Sequence, residues 1–216
     1  KMYYKDDANA YNFTPSGSIT LDGIGTTTAR LNIRNALNVS GSLTSNEYEA
    51  ILLWVGSTIA VGTAGTSIAN LYSLNMRHSS GTTSIPALTT RNLMCQVSGG
   101  TTQATGDLTI SSELEVLSGA TFNGQNHSHT IELIDSRGAI ALNGATMTIN
   151  NRVDADTTAS WDLQNSTIQS AGTDHWWRVS HDSDCELVGG TFKGFLVRNH
   201  GYGAGGGSGI TVIGSI

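Results

Sequence analysis

Apolar and polar residues alternate along most of this chain in short runs of three to five, and the runs are broken by small residues rather than by long polar loops. Alternation with period two marks half-buried strands, whose successive side chains point to opposite faces. In the second half the alternation is tied to a recurring phrase, Leu-x-[Gly/Asn]-[Gly/Ala/Ser]-Thr-apolar. It occurs at Leu117–Phe122, Leu142–Met147, Leu163–Ile168 and Leu187–Phe192, at intervals of 25, 21 and 24 residues. A looser copy, Val97–Thr102, lies 20 residues upstream of the first. The Gly or Asn two residues after the leucine is a residue type that tolerates positive φ. Each copy therefore predicts strand, tight bend, strand.

A period of 20–30 residues is the signature of stacked repeats. A bend that returns in register predicts a coil, with one turn per repeat and parallel strands stacked at about 4.8 Å. The expected fold is all-β, a right-handed parallel β-helix (a β-solenoid) over residues 17–200. Leu117, Leu142, Leu163 and Leu187 are expected to form one internal ladder, with Thr121, Thr146, Thr167 and Thr191 in a second ladder beside it. Leucine-rich repeats share the period but need leucines and an Asn at offsets this chain lacks. An antiparallel sandwich would give turn signals every 8–12 residues without a shared phrase.

The first half carries fainter echoes, at Ile19–Gly23 and Leu37–Ser42. Clear and faint copies together predict about nine rungs, or roughly 40 Å of solenoid. Between the echoes, Asn46–Trp54 follows Thr44 with Glu47 three residues on, a capping-box pattern. A short helix there and a buried strand at Ile51–Val55 both remain open. Residues 1–16, with Tyr3, Tyr4, Tyr11 and Phe13, lack the phrase and predict an arm that docks on a neighbour, a first-rung cap or a disordered leader. Residues 201–216 predict a Gly-rich loop and a terminal strand at Ile210–Ile213.

Composition narrows the function classes. The chain has 216 residues, suited to one domain with a continuous core. Only 13% of residues are charged, and 26 are glycine against 2 proline, a balance that suits tight turns. A net charge of −6 argues against nucleic acid or an anionic membrane as partner. No apolar run approaches the ~20 residues of a membrane span. Cys95 and Cys185 each precede a copy of the phrase by two residues, which predicts one slot four rungs apart. That is about 19 Å, too far for a disulfide, so two free, buried thiols are expected.

The densest group of titratable residues is Asp174-His175-Trp176-Trp177-Arg178 with His181-Asp182-Ser183-Asp184. Strand alternation puts Trp177 inward and Trp176 outward beside Arg178. Trp176, Arg178, Asp182 and Asp184 are thus a candidate carbohydrate or partner surface, and Asp154 and Asp156 lie one rung earlier. The plainer alternative is a charged outer loop with one part-buried tryptophan. His127-x-His129 has the alternation of two metal ligands, but no third ligand is visible. Gly201–Gly206 matches G-x-G-x-x-G by letter but precedes a strand, so it fails the context a dinucleotide site requires. The sequons at Asn12, Asn38, Asn126 and Asn165 fit chance in an Asn- and Thr-rich chain, Asn165 lying in a tight turn. No cofactor, metal or catalytic residue is expected.

The phrase, as in Leu117–Phe122 and Leu187–Phe192, resembles the rungs of pectate-lyase-like right-handed β-helix proteins. The resemblance covers residues 98–199 well and the rest loosely. It implies a fold shared by polysaccharide lyases and hydrolases, phage tailspikes and fibres, and other virion appendages. The enzymes of that group set acidic residues on neighbouring rungs with a basic residue nearby; the sequence offers no such set, so no catalytic residue carries over. A short Gly-, Thr-, Ser- and Asn-rich solenoid is most similar to the virion members. The expectation is a non-enzymatic capsid-decorating or fibre protein, a homotrimer assembled in a host cytoplasm with other virion subunits. An extracellular adhesin or sugar-binding solenoid, and a polysaccharide lyase or hydrolase, are the alternatives.

Overall fold

A computed structural model describes residues 68–77, 80–96, 99–156, 159–180, 184–200 and 209–213, and before them 19–21, 29–33, 37–39, 41, 43–45, 51–55 and 59–61. Every described regular element is a strand, and every strand pairing is parallel. The chain coils as a parallel β-solenoid of about six turns. One sheet holds Gly81–Ile85, Gly100–Ala104, Thr121–Asn123, Ala139–Ala141, Ser160–Asp162, Asp184–Val188 and Gly209–Ile213 in stacking order. Seven strands make six steps, fewer than the nine rungs the phrase count predicts. A nine-strand path exists in the larger sheet only by taking in the short strands Ile19–Leu21 and Leu43–Ser45.

The larger sheet divides into two faces along a line of register irregularities, between Ile68 and Leu71, Ile110 and Glu113, and Ile131 and Leu133. Beyond that line the strand Thr146–Ala155 pairs with Thr167–Ser170 at one end and Trp176–Ser180 at the other. The solenoid therefore has three faces. The inward column of the first stacks Leu88, Leu108, His129, Met147, Ile168 and Phe192. That of the second stacks Leu74, Leu93, Leu114, Ile134, Val153 and Trp177, all fully buried. On the third, Thr83 and Thr102 give way to Phe122, Ile140 and Trp161. Burial of these columns is the main stabilising term, since each large apolar side chain removed from water contributes about 1.5–3 kcal/mol.

The repeated phrase is a β-turn at a corner of the coil. The leucine C=O accepts the N–H three residues on at Ala120, Ala145 and Ser166, over 2.8–3.1 Å. The third residue takes positive φ in all four copies: Gly119 at 78°, Gly144 at 90°, Asn165 at 54° and Gly189 at 64°. These are backbone angles that turns of types II and I′ demand.

The expected ladders are corrected. The phrase serves two different corners. At Leu117–Phe122 it leads into the seven-stranded sheet, where Thr121 pairs with Thr101. At the three later copies it leads out of that sheet, and Thr146, Thr167 and Thr191 pair in the larger one. Leu142 and Leu163 are buried and stack, the N–H of Leu142 bonding the C=O of Asp162. Leu117 is only half-buried, at the other corner, and Leu187 pairs with Trp161. The threonines are half-buried or exposed, and the apolar residue after each (Phe122, Met147, Ile168, Phe192) fills the core instead. Turn chemistry fixes a bend but not which corner it occupies.

Ile51–Val55 is a strand, paired with Ala29–Ile33 and Ile68–Met76, so the strand reading holds there; residues 46–50 lie outside the described residues. The shared cysteine slot is also corrected. Cys95 lies in the larger sheet and Cys185 in the seven-stranded one, paired with Ile210. Cys95 is free and buried; the side chain of Cys185 is outside the described set. The arm at 1–16 and the loop at 201–208 are likewise not described, whereas Gly209–Ile213 forms the expected last strand.

Candidate functional site: a charged column on the second face

The second face turns its apolar column inward and, by alternation, its neighbours outward. The residue after each core side chain gives the outward column Glu115, Asp135, Asp154 and Arg178, on four consecutive rungs. The residue before it gives Glu113, Leu133, Arg152 and Trp176. Parallel stacking holds each about one inter-strand spacing, ~4.8 Å, from the next. Like charges so close repel unless cations intervene, and arginines do. Arg137 forms a short ion pair with Glu115 at 2.5 Å and lies 3.7 Å from Asp135. Arg152 Nε donates to Asp154 at 2.7 Å, and Arg178 Nε approaches the other Asp154 oxygen at 3.8 Å without a hydrogen bond.

Crowding leaves its mark on proton affinity. The carboxyls of Glu113, Glu115 and Asp135 all titrate above their ordinary range. Burial is the first cause for each. Neighbouring carboxylates add to it, while Arg137 opposes it at Glu115 and Asp135 and Arg152 opposes it at Glu113.

The residues singled out by sequence fare unequally. Trp176 and Arg178 do lie outward on one strand, half-buried, with Trp177 in the core. Arg178 stacks on Asp154, joining the rung before it. Asp184 begins a strand of the seven-stranded sheet, a different face from Trp176 and Arg178, and Asp182 lies outside the described residues. Asp156 follows the strand that carries Asp154, its N–H bonded to the C=O of Ser136. Sequence reasoning missed Glu113, Glu115, Asp135, Arg137 and Arg152, and with them the acids on neighbouring rungs. The signal was present as apolar-acid pairs, Leu114-Glu115, Ile134-Asp135 and Val153-Asp154, at the rung period. It lies on a different stretch of each repeat from the phrase that revealed the coil.

The histidine pair is not a metal site. His129 is 1% exposed, and both its ring nitrogens are engaged, Nε2 with the Gly124 C=O at 2.9 Å and Nδ1 with the Leu108 N–H at 3.3 Å. His127 lies before the strand, 3.8 Å from Asp107. Among the described residues no group of three His, Cys, Asp or Glu could hold a metal, and no helix is long and apolar enough to cross a membrane.

The fold defines the class as parallel β-solenoid, consistent with the architecture of pectate-lyase-like proteins. Compared with protein-family models, curated proteins and solved structures, the chain finds no match in any of the three.

Proposed function

We propose that this chain is a non-enzymatic structural rod, working as a homotrimeric capsid-decorating or fibre component of a virion. The observation that carries the structural role is the pairing of the outer column. Glu115 and Asp154, the most obvious candidates for acid–base work, are tied to Arg137, Arg152 and Arg178. A carboxylate bridged to a fixed guanidinium has to leave that pair before it can meet a substrate proton, which disfavours it as a general base on geometric grounds. The turn geometry supports the same role: among the described residues, the corners Leu117–Ala120, Leu142–Ala145 and Leu163–Ser166 are each closed by a backbone hydrogen bond, which leaves those corners little to open to proteases. The virion setting and the trimer rest on the resemblance of the repeated phrase alone.

A second reading is favoured by the half-buried Trp176 beside Arg178 and by the raised proton affinity of Glu113 and Asp135. An indole next to a guanidinium can stack on a sugar ring, so the column would bind, or act on, an acidic or neutral polysaccharide.

Light scattering behind size exclusion separates the two when joined to a polysaccharide screen. A mass three times 22.6 kDa with no glycan cleavage supports the structural trimer. A monomer that cleaves a glycan, with the activity lost in Asp135→Asn, would replace it with the second reading.

A further inference from the structure

Two corners of the coil carry the dipeptide Asn-Gly, at Asn123-Gly124 and Asn143-Gly144, and the sequence has no other copy. In Asn-Gly a backbone nitrogen attacks the preceding side chain most readily, because glycine puts no Cβ beside that nitrogen. The later corner also demands this pair. Asn143 and Gly144 take φ of 47° and 90°, the successive positive angles of a type I′ turn, for which Asn-Gly is preferred. A Cβ on Gly144 would moreover run into Asn126 Oδ1.

Attack needs a glycine N–H free to lose its proton and an asparagine side chain free to swing over it. At Asn143-Gly144 the fold withholds both. The Gly144 N–H donates to Ser166 Oγ at 2.7 Å and to the Gln164 C=O at 3.1 Å, both on the next rung. Ser166 is 4% exposed, and its own hydroxyl proton goes to the Gln164 C=O at 3.0 Å, so its oxygen faces Gly144 as an acceptor. Asn143 Nδ2 donates to Asn123 Oδ1 on the rung before, at 2.9 Å. At the earlier corner the Gly124 N–H donates to the Ala141 C=O at 2.9 Å, and Asn123 Oδ1 accepts a second bond from the Gln125 N–H at 3.1 Å. Asn143 is exposed and Asn123 half-buried.

We propose that Asn143-Gly144 is a latent modification site, a self-deamidating corner kept closed by Ser166 and exposed when that rung loosens. The Gly144 nitrogen bonds to Asn143 Cγ, the Cγ–Nδ2 bond breaks, and ammonia leaves with the proton from the Gly144 N–H. Water then opens the cyclic imide at either carbonyl, giving aspartate or isoaspartate. Aspartate tolerates the positive φ but sets a carboxylate where the donor to Asn123 Oδ1 stood. Isoaspartate adds a methylene to the main chain between Leu142 and Ala145, both fully buried. The bond from the Ala145 N–H to the Leu142 C=O cannot span that longer turn unchanged. Conversion thus marks, irreversibly, a chain whose corner has opened, and the marked rung opens more easily.

The test incubates the full chain at mildly alkaline pH, folded and in urea. Peptide mass mapping follows each asparagine, and isoaspartyl methyltransferase reads the isoaspartate. In urea both asparagines should convert at the rate of free peptides of the same sequence. Folded, Asn143 should convert at least about tenfold more slowly, as befits a group that reacts only on local opening, and Asn123 more slowly still. Ser166→Ala leaves the Gln164 C=O as the sole acceptor for Gly144. It should speed Asn143 about threefold to tenfold, the effect of one hydrogen bond, with Asn123 and the circular dichroism spectrum unchanged. Asn123→Ala frees the Asn143 side chain, removes the other Asn-Gly pair and should also speed Asn143. Folded Asn143 converting as fast as in urea, Asn123 converting first, or Asn143 no faster in a Ser166→Ala chain of parental spectrum overturns the proposal. Should Ser166→Ala lose that spectrum, Asn123→Ala decides, and no gain there overturns the proposal equally.

Discussion

Nδ1 of His129 accepts a hydrogen bond from the backbone N–H of Leu108 at 3.3 Å, inside a column whose other members are Leu88, Leu108, Met147, Ile168 and Phe192. An acceptor at Nδ1 requires the proton at Nε2, which donates to the C=O of Gly124 at 2.9 Å. The ring is thus the neutral Nε2–H tautomer, stapling one rung to the next where an aliphatic residue would only pack. Phe122 meets it edge-on at 5.9 Å, His127 lies 6.5 Å away, and Asp107 is the nearest acid in electrostatic reach.

Protonating Nδ1 would set N–H against N–H in a dry site. Burial accordingly pushes the His129 pKa down, with His127 adding to the effect and the Gly124 carbonyl and Asp107 opposing it. The folded value lies below the unfolded one of about 6.5, so the unfolded chain binds the proton first. The contribution is fully present above about pH 6.5 and is lost as pH falls toward the folded pKa. His129→Leu is expected to remove this acid-sensitive component while costing about 1–3 kcal/mol for the unpaired Leu108 N–H and Gly124 C=O. Urea unfolding between pH 5 and 8 measures both, and parallel pH profiles for parent and variant would show that His129 does not titrate across folding.

The outer column has the opposite sign. Glu115 and Asp135 have folded pKa values above the ordinary ones, first through burial, so the folded chain binds their protons first. Stability from this source is gained on acidification and is lost as pH rises through the folded values. Arg137 holds both values down. Arg137→Gln should therefore raise both further, read as later midpoints of the side-chain carboxyl signals in a carbon-13 NMR titration. Midpoints that stay put would mean that the 2.5 Å contact carries no electrostatic weight.

Much of the coil was legible because its bends are chemically expensive. A position that must take positive φ admits few residue types, so Gly119, Gly144, Asn165 and Gly189 stand out of the sequence. The corner each copy serves was not legible, because Leu142 and Leu117 bend alike locally and differ only in what stacks on them. Cys185 shows the same limit: its spacing to the phrase matches that of Cys95, yet it lies on another face. The charged column was hidden for a related reason. Glu115, Asp135 and Asp154 are far apart in the chain, in segments whose only shared feature is an apolar residue before the acid, and stacking alone brings them together.

Gly138 carries a constraint that no positive φ announces. A Cβ there would collide with the carbonyl oxygens of Leu117 and Ala120, backbone atoms that cannot turn aside. Its own N–H bonds the C=O of Val116 at 3.0 Å, and its C=O accepts from Ser136 Oγ at 3.0 Å. Gly138→Ala should cost about 3 kcal/mol, an overpacking effect at the upper end of the usual range. For a chain of this size that lowers the melting temperature by about 6–12 °C, measurable by calorimetry. A variant melting within a degree or two of the parent would show that the corner yields.

Cys95 reports on the core's integrity without perturbing it. It is 1% exposed, in the column between Met76 and Val116, and burial pushes its thiol pKa up to about 12, with a hydrogen bond to Thr102 opposing. The thiolate is the reactive species, so at pH 8 both access and ionisation protect it. In a Cys185→Ser background, a thiol reagent should leave the folded chain unlabelled over hours and modify one equivalent on unfolding in urea. Leu142→Asp makes the comparison decisive. It buries an unpaired carboxylate beside Leu163, at a cost of at least ~4 kcal/mol, so Cys95 should become reactive without denaturant. If Leu142→Asp protected Cys95 as well as the parent does, position 142 would not be in the core and the stacking of Leu142 on Leu163 would be wrong.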